Sequence, residues 1–194
     1  MVYSVCVFTH VWFASTDYYK EVILHIGLHN ANQMLFFNNA TRSEAWAHDD
    51  ILLSNLLKEL TEVAGFSNRK CISLDKVDIN KRYLLSGMYV NGKNVWRITP
   101  DVNTPEGSGH VTKESFLVDE SNLIFRIGNQ IIDFPEGSYI YNATDEQSQI
   151  GYWIYSPAGT YPEEYIDSNY TAPAESDYEF VADAELERLK LELN

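Results

Sequence analysis

The sequence predicts an α+β protein. A strand–loop–helix portion of α/β type comes first, then an antiparallel β-sandwich-like module, then an acidic tail ending in a short helix. Three observations carry the prediction. A leucine stripe at helical spacing lies in the first third of the chain, and glycine turns between strand-like runs fill the middle. Ten acids against two bases then occupy residues 162–194, so that segment holds −8 of the net charge of −14.

Taken in order, residues 3–13 are rich in β-branched and aromatic side chains and read as a buried strand. Residues 21–29 satisfy two patterns. As a strand, Val22, Leu24, Ile26 and Leu28 share one face while Ile23, His25, Gly27 and His29 share the other. As a helix the segment is apolar nearly all round and carries Gly27 in mid-span, at a cost of about 1 kcal/mol. The strand over 22–28 is the expectation, with a polar turn at 30–33 and a second apolar run at 34–37. A helix follows, starting at Asp49 or Asp50, either of which suits a cap at the positive end of the dipole. Leu53, Leu56, Leu57, Leu60, Val63 and Ala64 make its stripe. Gly65 is its left-handed stop, with Phe66 placed to pack back on the last turn. The apolar run 71–74 completes the α/β portion, assigned to residues 1–78, and the charged stretch "DKVDINKR" at 75–82 reads as the boundary loop.

Beyond it the texture changes. "YLLSGMYVNGKNVWRIT" holds two strand-like runs joined by Asn91-Gly92, the strongest short-range hairpin signal. "LIFRIGNQIIDF" repeats the device with Gly128-Asn129, which fits a II′ turn. Short runs at 139–141 and 150–155, punctuated by Pro and Gly, extend an antiparallel module over 79–160. Residues 161–194 read as an acidic linker and terminal helix. Ser176 and Glu179 form its capping box, and Ala182, Leu186, Leu189 and Leu193 form a narrow stripe for the body or a protein partner.

Composition bounds the function. An apolar fraction of 45% and a charged fraction of 22% are those of a globular chain. The acidic balance, with no local Lys/Arg cluster, repels phosphate backbones and argues against nucleic acid. The apolar first fifteen residues are too short to span a membrane and contain no Lys or Arg, which makes a poor secretory leader. A chain that enters a strand almost at once reads as part of a longer parent with further domains. Cys6 and Cys71 permit one disulfide and do not define a disulfide framework. Three glycosylation-type triplets, at Asn39, Asn142 and Asn169, occur at a frequency that chance explains.

Candidate chemistry gathers in two places. In "ILHIGLHNANQML", His25 and His29 would lie about 6 Å apart on a helix but about 13 Å apart on a strand, too far to share a metal ion. The strand expectation therefore predicts no metal. It predicts instead a polar edge of His29, Asn30, Asn32 and Gln33 after an apolar strand, as at binding edges of α/β folds. The second place is the aromatic content: 13 Tyr, 9 Phe and 4 Trp. Exposed rings beside amides and carboxylates suit sugars, because a ring covers the apolar face of a pyranose while polar groups bond its hydroxyls. Trp96 and Trp153 are the candidates, with burial in the core as the competing assignment. No phosphate-binding glycine loop, GxSxG or paired CxxC occurs, so no cofactor is expected.

At "KEVILHIGLHNANQMLFFNN", "YLLSGMYVNGKNVWRITPD" and "GYWIYSP" the chain resembles segments of large bacterial surface or secreted proteins. Those segments look like the end of a glycoside-hydrolase-like barrel running into a β-sandwich. The likeness spans roughly residues 15–160 and carries no catalytic signature, and 194 residues fall short of the ~250 of a whole barrel. The resemblance implies a secreted or cell-surface location and a non-catalytic, carbohydrate-associated accessory role with sugar binding. Two alternatives stand beside it: a glycosidase-like hydrolase using the polar edge after strand 22–28, and a protein-interaction module acting through the 176–193 helix.

Overall fold

A computed structural model describes residues 4–9, 16–29, 33–38, 43–65, 69–72, 83–100, 113–143 and 150–169. The expected terminal helix, Phe66, Asn30 and Asn32 lie outside them.

The protein is α+β. Strand β1 (Ser4–Thr9) leads into helix α1 (Thr16–Leu28), and β2 (Gln33–Asn38) returns parallel to β1, Ser4 opposite Gln33. A parallel pair needs such a crossover, so these elements form a β-α-β unit. Helix α2 (Ser43–Ala64) follows, then β3 (Lys70–Ile72), β4 (Tyr83–Val90) and β5 (Lys93–Pro100). After the single turn α3 (Lys113–Phe116) come β6 (Leu117–Asp119), β7 (Ile124–Ile127), β8 (Gln130–Asp133), β9 (Tyr139–Tyr141), β10 (Tyr152–Pro157) and β11 (Glu163–Ile166). They make a five-stranded sheet, β3-β4-β5-β10-β9, and a four-stranded sheet, β11-β8-β7-β6, both antiparallel.

The turns form as expected. Asn91 and Gly92 both take positive φ, 49° and 87°, the pair that a type I′ hairpin demands. Gly128 (φ 55°) opens the β7–β8 turn, and Gly65 (φ 63°) stops α2, its amide reaching the Thr61 carbonyl at 2.7 Å.

Strand β5 is buried from Asn94 to Pro100, and its alternate residues serve two cores. Val95 joins Ile23, Leu24 and Leu28 of α1 and Leu56, Leu60, Val63 and Ala64 of α2. Trp96 and Ile98 face the other way and join Phe125, Ile127, Ile132 and Phe134. Strand β10 repeats the division, with Trp153 and Tyr155 on the helix side and Tyr152 and Ile154 on the other. Helices thus cover one face of the five-stranded sheet, and the four-stranded sheet shares a core with the opposite face. Trp96 fits because its cross-strand partner is Gly87, where a Cβ would come within 2.3 Å of the indole.

Four expectations are corrected. Residues 22–28 are not a strand but the second half of α1. Gly27 supports rather than weakens that helix, since a Cβ there would lie 2.3 Å from Leu60 Cδ2, and its absence lets α1 and α2 approach. The polar edge after a strand at 22–28, on which the hydrolase alternative depended, therefore has no strand to follow. Helix α2 begins at Ser43, which places Asp49 and Asp50 inside it rather than at its cap, and Leu57 of the expected stripe is exposed. Strand β3 pairs with β4, so the apolar run at 71–72 belongs to the antiparallel sheet. Residues 163–166, read as acidic linker, form β11, paired with β8. No helix among the described residues is long and apolar enough to cross a membrane.

Candidate functional site

Among the described residues, two places concentrate polar chemistry. One is sealed inside; the other is open.

The sealed place lies between α1 and the five-stranded sheet. On α1, Glu21, Leu24, His25 and Leu28 recur at helical spacing and are all buried. The stripe thus carries a carboxylate and an imidazole alongside its two leucines. Across from it on β5, Arg97 grips Glu21 with both arms, Nε to Oε2 at 2.9 Å and Nη2 to Oε1 at 2.7 Å. Neither side chain has any solvent exposure. Such two-pronged geometry is the strong form of the carboxylate–guanidinium pair. The Arg97 guanidinium also lies 4.9 Å from the ring centre of Trp153, its cross-strand partner.

A proton chain extends from the same carboxylate. Thr99 donates its hydroxyl to Glu21 Oε2 at 2.6 Å, so its oxygen is left to accept from His25 Nε2 at 3.1 Å. That makes Nε2 the protonated nitrogen of a neutral imidazole, and Nδ1 the acceptor of the Ser86 hydroxyl at 2.8 Å. Donation therefore runs one way, from Ser86 through His25 and Thr99 to Glu21, which is the arrangement in which successive bonds strengthen one another. Gly151 makes room: a Cβ there would meet Thr99 Oγ1 at 2.6 Å and Arg97 Nε at 2.7 Å.

Burial holds the His25 imidazole well below its ordinary pKa, and the Arg97 cation and then His29 push it the same way. Between that lowered value and about 6.5 the unfolded chain binds a proton that the folded state refuses. Stability is therefore complete above about pH 6.5 and declines as pH falls, by up to about 1.4 kcal/mol per pH unit. In urea titrations at about pH 7.5 and pH 5.5, the native protein is expected to lose about 1 kcal/mol more than a His25→Gln variant. Equal losses would show that His25 is not the group responsible.

With both ring nitrogens of His25 engaged, the sequence-level histidine pair resolves into two unrelated roles. His29 is exposed at the end of α1, where its Nδ1–H donates to the His25 carbonyl at 2.8 Å and caps the helix. Gln33 opens β2 opposite Ser4, on a different element from His29. Among the described residues no three His, Cys, Asp or Glu side chains converge to hold a metal ion. Cys71 is a free thiol, its pKa raised by burial. The tryptophans are core residues: Trp96 is fully buried, with Nε1 donating to Ser156 Oγ at 2.9 Å, and Trp153 is 1% exposed, donating to Glu59 Oε1 at 2.6 Å. Neither offers a ring face to solvent.

The open place is a cleft of about 590 Å³ on the four-stranded sheet, lined by residues 121–124 and 133–138 with Tyr161 and Glu163. Three ordered turns build it. In the first, Asp119 accepts from the Ser121 amide and hydroxyl and from the amide and side chain of Asn122. Those bonds, Ser121 and Asn122 side chains foremost, hold the Asp119 carboxyl down at about 2. Leu123 follows with φ 50°, a left-handed backbone that few residues other than Gly, Asn and Asp adopt. In the second turn, the Ser138 amide closes on the Pro135 carbonyl at 3.1 Å around Gly137, whose φ of 85° suits the third position of a type II turn. The third, 157–160, is pinned by Asn94 Nδ2, which donates to the carbonyls of Thr160 at 2.8 Å and Pro157 at 3.4 Å.

That last turn delivers Tyr161. Its ring meets buried Trp96 edge-on, centroids 6.3 Å apart, while 54% of the residue stays exposed. Sequence analysis missed this residue because it lay in the segment read as tail. The signal was present in "PAGTYPEEYI", where Pro-Ala-Gly-Thr marks a turn and Tyr165 and Ile166 continue as a strand. Compared with family models, curated proteins and solved structures, the chain matches none.

Proposed function

We propose that this chain is a non-catalytic, carbohydrate-binding portion of an extracellular bacterial protein. Its two antiparallel sheets serve as a β-sandwich-like module, and its sugar site is the Tyr161 cleft. The observation that carries the reading is a half-exposed aromatic ring, fixed from behind by Trp96, at the wall of a cleft whose other walls carry Asn122, Asp133, Ser138 and Glu163. A pyranose presents an apolar face and a fringe of hydroxyls, and this wall offers a counterpart to each. The volume suits one or two sugar rings, within the few hundred Å³ usual for small-ligand clefts. Ordered turns hold the ring and the polar groups in place before binding, so little conformational entropy is lost on association. The bacterial and extracellular setting follows from the resemblance at "YLLSGMYVNGKNVWRITPD" and "GYWIYSP" and suits the acidic surface.

Isothermal titration against a panel of neutral and charged oligosaccharides tests the proposal. Binding to at least one glycan is expected, and Tyr161→Ala should weaken it about tenfold, the scale of losing one aromatic contact. Being exposed, that substitution should leave the melting temperature near native. Absence of heat with every glycan would overturn the reading.

A further inference from the structure

The ring at the cleft wall is held by a residue that does not line the cleft. Residues 157–160 lead the chain from β10 of the five-stranded sheet towards β11 of the four-stranded one, and Tyr161 stands at their end. They form a type II turn. The Thr160 amide closes on the Pro157 carbonyl at 3.2 Å, and Gly159 takes the positive φ, 78°, that the third position requires. The Thr160 hydroxyl donates to the same carbonyl at 2.7 Å. These bonds fix the shape of the turn but not its place, since both ends of each lie within it.

Asn94 supplies the outside partner. It sits on β5, only 2% exposed, and its Nδ2 donates to the Thr160 carbonyl at 2.8 Å and to the Pro157 carbonyl at 3.4 Å. A hydroxyl has one hydrogen to give and a carboxylate none, whereas a primary amide has two on one nitrogen. The Thr160 carbonyl belongs to the planar peptide unit that ends on the Tyr161 nitrogen, so holding it sets the plane from which Tyr161 springs. Asn94 shares its face of β5 with Trp96, against which the Tyr161 ring lies edge-on at 75°. Opposite Asn94 on β10 is Ser156, the acceptor of the Trp96 indole. One patch of β5 and β10 therefore holds both the backbone and the ring of Tyr161.

We propose that Asn94 is the positioning residue of the sugar site, an inference that rests on the carbohydrate reading above for its ligand. It touches no sugar. It sets Tyr161 in place beforehand, so that the ring is not ordered at the expense of binding.

A double-mutant cycle tests this. In isothermal titration with the tightest glycan of the panel, Asn94→Ala is expected to bind about threefold more weakly than native, the scale of ordering one side chain. In a Tyr161→Ala background the same change should have no further effect, because no ring is left to position. A purely structural role would weaken binding equally in both backgrounds. Gly159→Ala disturbs the same turn from its exposed side, where alanine is strained at φ 78° but meets no atom within 4 Å. It should give the same loss with the core untouched, and it takes over the cycle if Asn94→Ala is too unstable to titrate. A fluorine label on the Tyr161 ring reads positioning without any ligand. Its resonance should be displaced by Trp96 in the native protein and move towards that of free tyrosine in both variants. Native-like affinity of the variants, an equal loss in the Tyr161→Ala background or an unmoved resonance would overturn the inference and leave the carbohydrate reading standing. If no glycan binds, the carbohydrate reading falls, and the fluorine resonance alone decides whether Asn94 positions Tyr161.

Discussion

Glu21→Gln is expected to cost about 3–5 kcal/mol of folding stability, a large part of what a domain of this size possesses. The amide nearly matches the carboxylate in shape and still accepts a hydrogen bond, so packing hardly changes. What changes is charge. The Arg97 guanidinium, with no solvent exposure, loses the carboxylate that meets both its Nε and Nη2, and a buried charge deprived of its counter-ion is among the costliest defects in a protein interior. Thr99 and His25 suffer next, because the proton chain that ends on Glu21 loses its anionic acceptor. Paired replacement of Glu21 and Arg97 by methionine should recover most of the loss, since a dry apolar pair needs no desolvation. Guanidinium titrations of the single and double variants measure both effects. A single variant within about 1 kcal/mol of native would mean that the pair contributes little.

The second large effect is expected at Trp153. Removing this side chain by Trp153→Ala should destabilise the protein by about 3–5 kcal/mol, the usual range for emptying a buried aromatic site. Three partners depend on the indole: the Arg97 guanidinium beneath it, the Glu59 carboxylate that accepts from Nε1, and the apolar side chains of α1 and α2. Trp153→Phe keeps most of the volume but removes the donor to buried Glu59, and should cost about 1–3 kcal/mol. If alanine proves no worse than phenylalanine, the hydrogen bond outweighs the packing; if phenylalanine is neutral, packing carries the whole effect.

Both residues illustrate what a sequence discloses and what it conceals. Turn chemistry is local, so Asn91-Gly92, Gly128 and Gly65 could be read directly, because backbone sterics at those positions admit few alternatives. Helix α1 was concealed by the features that make it fit. In sequence Gly27 counts only as a cost to a helix, whereas in the fold it is the place where Leu60 packs, and Glu21 and His25 of the same helix take their partners Arg97 and Thr99 from β5. Arg97 and Thr99 lie more than 70 residues from Glu21 and His25, beyond the reach of any periodicity argument. The two tryptophans showed their strands but not their faces, because β5 and β10 are covered on both sides and lose the alternation that would have told inside from outside. The cleft was hidden for another reason. Its walls come from residues 121–124 and 133–138 with Tyr161 and Glu163, scattered over some forty residues, and the strongly acidic composition around Tyr161 masked a strand as tail.

The order of strands in the five-stranded sheet carries a consequence for how the chain assembles. Strands β4 and β5 are joined by a two-residue turn and can zip together within microseconds. Strand β10, which completes the other side of β5, arrives from about sixty residues further along, after the whole of β6 to β9 has been threaded past. Until then one edge of β5 has no neighbour, and the indole of Trp96 lacks the Ser156 hydroxyl. Closing so long a loop is entropically slow, and a bare edge is where chains pair with one another instead. If β10 docks last, the unpaired edge of β5 is the place where a newly made chain would be most open to pairing with another. A handful of residues, 152 to 157, seals it.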